Sequence, residues 1–442
     1  MPSSPYIHLV FLFFSSLFFW IGNTCLLPVL PTYLEDTGLT AKQVGYIMAC
    51  FAIGLLLSRV WLGKLADEGL KQTISRLSLP SAIGHAVLSL FRCCFGRLVY
   101  YPSRKIVIVI GTIVAFTAPL LYLFFVAVPQ LVLIRAFHGI SIAAFTTGYS
   151  ALVVDLSPPQ KKGELIGYMS LAVPIGMAIG PSVGGFLLDY TSNYQVVFIT
   201  AALCGLIALG FIILVPEIIY KTETNISEEK PTEVGRSRGF LQLILSPSLL
   251  APTVVLLLVG SIFGTLVTFL PLYIRHLRLD FNAGLFYSSA AIASFVVRFV
   301  AGKASDRYGR GVFITLSLLC YIIAMGLLTL GNSGETIMLA AITEGMGAGI
   351  IFPISLALVA DRCSTSERGK AFAICISGFD LGVALGGPVL GAAVLDFGYR
   401  VLFASTTVMA ILALLVFLTF SNKKPRYSWA FAFGLAPDLY AQ

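Results

Sequence analysis

The chain has 442 residues, 57% of them hydrophobic and only 11% charged, with a mean hydropathy of +0.92, whereas soluble domains carry about a quarter charged residues. A water-soluble globular fold is therefore excluded, and the net charge of +8 reads as loop charge that sets membrane topology, with no nucleic acid as partner. Eight cysteines occur without a CxxC pair or a companion histidine cluster, so they give neither a metal site nor a disulfide framework and read as isolated buried thiols.

A helix crosses a bilayer with about 20 mostly apolar residues. On that measure twelve spans are predicted, at 6–31, 44–62, 105–126, 130–155, 164–188, 194–215, 244–272, 282–301, 312–331, 336–360, 371–395 and 399–420. The first is a span and not a signal peptide, because the first basic residue is Lys42. Spans 2 and 3 are separated by a polar stretch opening "GKLADEG" at residues 63–69, and spans 8 and 9 by "GKASDRYGR" at 302–310. After span 6, Glu217 to Arg238 is acidic and lacks apolar periodicity, as a linker does. Most of the 29 Lys and Arg residues fall in alternate loops, which predicts a multi-pass protein with both termini cytoplasmic. The location implied is the plasma membrane, or the inner membrane of a bacterium.

The two halves repeat. Arg104 with Arg310, Gly139 with Gly345, Asp155 with Asp361, Gly163 with Gly369 and Gly176 with Gly382 all lie 206 positions apart. Upstream, Arg59 with Arg298, Gly63 with Gly302, Lys64 with Lys303 and Asp67 with Asp306 lie 239 apart. The first loop thus holds 33 additional residues, most simply Leu70 to Pro102, which split a motif into "GKLADEG" and "SRK". The insertion mixes basic and apolar residues in runs too short to span. It reads either as an interfacial segment on the cytoplasmic leaflet or as a tolerated, disordered insertion. The expected organisation is an N-terminal six-helix bundle over 1–216 with the insertion at 70–102, a linker at 217–240, a C-terminal six-helix bundle over 241–422 and a cytoplasmic tail at 423–442.

This duplicated arrangement, with a GxLaDrxGrk-type loop between spans two and three of each half, resembles the major facilitator superfamily. "RAFHGISIAA" in span 4 is similar to the family's RxxxGxxxA element, carried by Arg135, Gly139 and Ala143. "GMAIGPSVGG" in span 5 resembles the GxxxGPxxGG antiporter motif, carried by Gly176, Gly180, Pro181, Gly184 and Gly185, and "LPVLP" with Pro28 and Pro31 fits the twelve-span drug:proton antiporter branch. The resemblance implies an all-α integral membrane protein of two pseudo-symmetric six-helix bundles, working as a monomer. It implies that Asp67 and Asp306 each sit at a helix N-terminus and engage charge at a cytoplasmic gate, a place where the helix dipole favours a carboxylate. Gly63, Arg104, Gly302, Arg307, Gly309 and Arg310 complete the two loop motifs, with Gly309 allowing a tight turn. In the first copy Glu68 stands where an arginine is usual.

The glycines of span 5 recur every fourth residue and form one smooth stripe for close helix approach, while Pro181 removes a backbone donor and permits a bend. Gly382, Gly386, Gly387 and Pro388 partly echo this in span 11. Ionisable groups deep in spans are costly and are functional candidates. Glu344 in span 10 and Asp380 in span 11 are the two acids, and Arg135 with nearby His138 supplies positive charge in span 4. The resemblance gives Arg135 a role in proton handling. Span 1 has Asn23 as its strongly polar group, where many antiporters of this branch carry an acid. Either acid could instead anchor neighbouring helices by hydrogen bonds. Asp155 and Asp361 read as structural elbows that neutralise adjoining helix ends.

No nucleophile and base pair, phosphate-cradling loop or metal spacing is present, so neither an enzyme nor a cofactor is expected. The leading expectation is a secondary transporter working by alternating access, exporting a small amphipathic or drug-like molecule in exchange for protons across its lipid bilayer. A proton- or sodium-linked carrier of a sugar, siderophore or other metabolite remains open. So does a membrane sensor, scaffold or inactive paralogue, on the strength of the interrupted first loop.

Overall fold

The computed structural model describes residues 5–68, 104–216, 240–364 and 367–441, and among them the ordered elements are helices. Among the described residues twelve helices are long and apolar enough to cross a membrane: Tyr6–Asp36, Ala41–Arg59, Arg104–Leu121, Val128–Leu156, Lys162–Thr191, Tyr194–Leu214, Pro247–His276, Ala283–Tyr308, Arg310–Leu330, Gly334–Asp361, Arg368–Ala392 and Phe397–Phe420. Each overlaps one expected span, and they are numbered here as spans 1 to 12. The insertion at 70–102 and most of the linker lie outside the described residues.

Two breaks have local causes. Spans 11 and 12 are parted at Gly398, whose φ of 79° and ψ of 173° no side-chain-bearing residue adopts cheaply. Span 5 is broken at Leu171, between Lys162–Ser170 and Ala172–Thr191. Pro174 follows, and lacking an N–H it cannot donate to the Ser170 carbonyl. Pro181 lies inside the helix Ala172–Thr191, which continues through it.

The helices form two compact units. The first draws on Met1–Thr24, Ile53–Gly176 and Gln195–Thr232; the second on Cys25–Ala52, Met177–Tyr194 and Glu233–Gln442. Spans 1, 2 and 5 therefore contribute to both.

In the first unit the apolar core is built by spans 1, 3, 4 and 6, with Met169 from the start of span 5. Phe19 stacks on Phe145 with ring centroids 3.9 Å apart, and Phe145 stacks on Tyr149 at 5.4 Å. In the second unit spans 7 and 11 interlock through small residues. A methyl group on Gly260 or Gly264 would collide with the carbonyls of Phe379 or Val383, and one on Gly382 or Gly386 with those of Leu257 or Ser261. Within a membrane the hydrophobic effect gives helices little reason to associate, so contact rests on such backbone approach.

The second unit also carries the tail. After span 12 the chain turns and a short helix, Pro425–Ala432, lays Ser428, Phe431 and Ala432 inward. Asn422 fastens the turn, donating to the Pro437 carbonyl at 3.0 Å and accepting from the Leu439 N–H at 3.0 Å. At the centre is Arg362, fully buried. Its Nε donates to Asp438 at 2.7 Å, and its other nitrogens to the carbonyls of Ser248 at 2.9 Å and Ser421 at 2.6 Å. The guanidinium also lies over the rings of Phe431 and Tyr440, 5.7 and 5.1 Å from their centroids.

This hub makes a stability prediction. Removing one member of a buried ion pair costs about 3–5 kcal/mol, whereas replacing both by apolar groups is often neutral. Asp438→Ala should lower the unfolding temperature of the detergent-solubilised protein, and Arg362→Met combined with Asp438→Leu should recover most of the loss. An unchanged transition in Asp438→Ala would deny the hub its role.

Candidate functional site

Four groups of polar residues interrupt the apolar helices. The first lies in unit one. Arg135 and His138 on span 4 are buried, 6% and 1% exposed, beside fully buried Tyr122 just past the end of span 3. The Tyr122 hydroxyl is 3.5 Å from His138 Nδ1 and also hydrogen-bonds to Arg135. One turn along, Ser141 donates to the His138 carbonyl at 2.7 Å and to Asn23 Oδ1 at 3.3 Å. Asn23 in turn donates to the Phe19 carbonyl at 2.9 Å. Three residues singled out in the sequence, Asn23, Arg135 and His138, thus belong to one network. Its organiser, Tyr122, was not singled out, because a tyrosine near a span end reads as ordinary apolar filling.

The second group is built around Glu344 of span 10, 5% exposed. Its carboxyl hydrogen-bonds to the side chain of buried Tyr321 on span 9. Gly347, one turn on from Glu344, makes room for that ring, since a Cβ there would meet Tyr321 at 3.0 Å. Ser317 donates to the Gly347 carbonyl at 2.7 Å and holds the two helices together. Tyr287 of span 8 is close enough to feel the carboxylate charge, and its hydroxyl donates to the Leu266 carbonyl at 3.0 Å. Among the described residues no Lys or Arg forms an ion pair with Glu344. Asp380 is half-buried on span 11. It follows Phe379, whose ring packs on Phe263 at 6.0 Å and edge-on against Phe352 at 5.7 Å.

The third group comprises the loop motifs. Gly309 has a φ of 96° and joins the end of span 8 to the start of span 9, the tight turn foreseen for it. Arg310 opens span 9 and pairs with Asp306, with Asp361 at 3.2 Å and with the Ser305 hydroxyl at 2.8 Å. Arg104 opens span 3 and faces Asp155 at 3.8 Å. The two Arg–Asp pairs are the same 206 positions apart and solve the same problem in each half. A cation at a helix N-terminus and an acid at a helix C-terminus each oppose the dipole, and together they cancel. Arg307 lies over the Tyr308 ring at 5.4 Å.

The expected seat of the motif aspartates at a helix N-terminus needs correction for their own helices. Asp306 lies in the last turn of Ala283–Tyr308 and Asp67 in the last turn of Ala41–Glu68, the ends at which the dipole disfavours an acid. Arg310 supplies the compensation for Asp306. The Asp67 side chain lies outside what is described. A cavity of about 590 Å³ beside the second motif is lined by Asp306, Arg310, Arg368 at the start of span 11, and Asp438 of the tail.

The span-5 stripe faces span 1. A methyl on Gly176 would meet Trp20 Cβ at 2.5 Å and the Leu17 carbonyl at 3.2 Å; one on Gly184 would strike the Cys25 carbonyl. Gly180, on the same stripe, is buried. Pro181 and Gly185 present their other edge to the start of span 8, packing against Gly284 and Asn282.

There the fourth group begins, wholly within unit two and unforeseen. Asn282 donates to Asp189 at 2.6 Å, and Ser182 to Ser288 at 2.7 Å. Nearby, Asp36 at the end of span 1 accepts from Arg275 at 2.5 Å and from the Tyr194 hydroxyl at 2.5 Å. Glu35 lies 3.6 Å from Arg275 and accepts from Tyr399 at 3.5 Å. Gly45 of span 2 and Gly387 of span 11 pack backbone to backbone. This clasp ties spans 1, 2 and 5 to spans 7, 8, 11 and 12. Apart from Gly387, its residues gave no sequence signal beyond charge at span ends.

A family model described as Major Facilitator Superfamily matches residues 77–342 and 280–436. The chain belongs to the Major Facilitator Superfamily. Multidrug resistance protein 1 of Bacillus subtilis (strain 168) is 25% identical over 414 residues, 92% of this chain and 94% of that protein. Quinolone resistance protein NorA of Staphylococcus aureus (strain MRSA252) is 24% identical over 344 residues, 77% of this chain and 78% of that one. Among solved structures, nucleoside transporter NupG superposes with a TM-score of 0.70 at 14% identity, covering 92% of this chain and 98% of that one. A bacterial homologue of the human lysosomal transporter Spinster, inward-facing and occupied, gives 0.64 at 16% identity, covering 94% and 96%. The protein is a multi-pass superfamily transporter and not an enzyme.

In this superfamily member the glycines sort by their surroundings. Gly184→Ala should destabilise the protein by about 1–3 kcal/mol through overpacking. Gly302→Ala should be neutral or add up to about 1 kcal/mol of helix propensity, because no described atom lies within 4 Å of the added methyl. Thermal unfolding in detergent checks both, and equal effects would contradict the packing account.

Proposed function

We propose that the protein is a proton-coupled exporter of small amphipathic, drug-like molecules, moving between two states by alternating access in a plasma membrane with both termini cytoplasmic. The observation that carries the reading is Glu344, a buried carboxyl held by a tyrosine hydroxyl and facing no cationic partner among the described residues. An acid permanently paired with Arg keeps its charge, whereas one met only by hydroxyls exchanges a proton when water or substrate reaches it. Relatives named for multidrug and quinolone resistance support the substrate class. The Phe263, Phe352 and Phe379 rings beside Asp380 supply the apolar face such molecules need.

Within this reading the Arg135, His138, Tyr122 and Asn23 network is a second polar station, where a fixed cation discourages a bound proton. Asp380 is a further acidic contact. The Asp36–Arg275 clasp holds the non-cytoplasmic end shut and must open in each cycle.

The test is made in inside-out vesicles with an acid interior. Addition of quinolones or lipophilic cations should discharge the pH gradient, and Glu344→Gln should reduce that discharge about tenfold or more, the loss that follows when a group needed for proton transfer is removed. Compound-dependent discharge that survives Glu344→Gln would refute the assignment of the coupling site. Silence from the parent chain would refute proton antiport.

A further inference from the structure

The tail of this protein does more than follow the last span. Docked by Arg362, it closes one side of an apolar groove of about 370 Å³ at the end of spans 7 and 12. Pro247, Leu250 and Val254 line one wall, Val416 and Phe420 the other, and Tyr440 of the tail covers one edge. The lining has no acid, and its one charged member is Lys423.

Lys423 is followed by Lys424 and Arg426, and all three are exposed. Among the described residues none of them makes an ion pair; Arg426 bonds only to the neighbouring Tyr427 hydroxyl, at 3.2 Å. The nearest tail acid, Asp438, is already engaged by Arg362. Three cations in four positions therefore stand uncompensated at the rim of an apolar slot.

The same end of the molecule shows large apolar groups outward. Trp429 is 56% exposed and packs on Phe433 with centroids 4.9 Å apart, and Leu435, Phe420 and Leu250 are also exposed. Pro425 and Trp429, four residues apart, share one face of the tail helix. Basic residues flanking an amphipathic helix with exposed Trp and Phe are the chemistry of a segment lying in a bilayer interface.

We propose that this groove is a binding site for an anionic phospholipid. One acyl chain lies between Leu250 and Phe420, and the phosphate is held by Lys423, Lys424 and Arg426. The lipid belongs to the leaflet that meets the tail. A free organic phosphate would satisfy the cations but leave the slot empty.

The probe is Trp429 as the single tryptophan, after Trp20→Phe and Trp61→Phe, in phosphatidylcholine vesicles. Brominated phosphatidylglycerol should occupy the quenching position about threefold more readily than brominated phosphatidylcholine. Replacing Lys423, Lys424 and Arg426 by Gln should bring the ratio to one, and Val254→Phe, which fills the slot, should lower quenching with the charges intact. Millimolar glycerol phosphate should displace nothing. Equal quenching by the two lipids in the parent, or displacement by glycerol phosphate, would overturn the proposal. Native mass spectrometry of the unaltered chain supplies an independent reading, since retained phosphatidylglycerol should exceed retained phosphatidylcholine by a similar ratio.

Discussion

A charge placed in or beside a membrane-spanning helix has little water to turn to, and the protein must supply its partner. That constraint organises nearly every polar group here. Arg104 and Arg310 open their helices against Asp155 and Asp361, Arg362 collects one acid, two carbonyls and two rings, and Arg275 joins Asp36 and Glu35. Glu344 differs from these, since it meets a tyrosine hydroxyl where they meet opposite charge, and Arg135 likewise bonds to the Tyr122 hydroxyl. Pairs of opposite charge fix structure.

Close backbone approach is the complementary device. Spans 5 and 11 occupy equivalent places in the repeat and use their glycines alike, one stripe against span 1 and the other against span 7. These contacts bring backbones close enough for van der Waals packing to hold the helices together. The clasp at Asp36 and Arg275 has the opposite character, being directional and made of exposed ions whose worth is small and easily exchanged for water.

Hydropathy made the twelve spans legible, because each apolar run is long enough to need a bilayer and too long for an ordinary core helix. The 206-position spacing made the paired loop motifs legible, matching Arg104 to Arg310 and Asp155 to Asp361, but it did not say that each arginine meets its aspartate. What escaped were groups whose meaning depends on a partner far away in sequence. Tyr122 and Tyr321 look like core residues until the structure sets them beside Arg135 and Glu344. Arg362 looks like a loop cation until the tail folds back with Asp438, 76 positions later.

In the proposed alternating-access cycle the clasp must open at every turnover. The hydroxyls of Ser182 and Ser288 are 2.7 Å apart within it, so a Ser182→Cys, Ser288→Cys variant offers a disulfide joining span 5 to span 8. Export by reconstituted protein should stop on oxidation and return with a thiol reductant, while the parent chain is indifferent to both. Undiminished export from fully cross-linked protein would contradict the account.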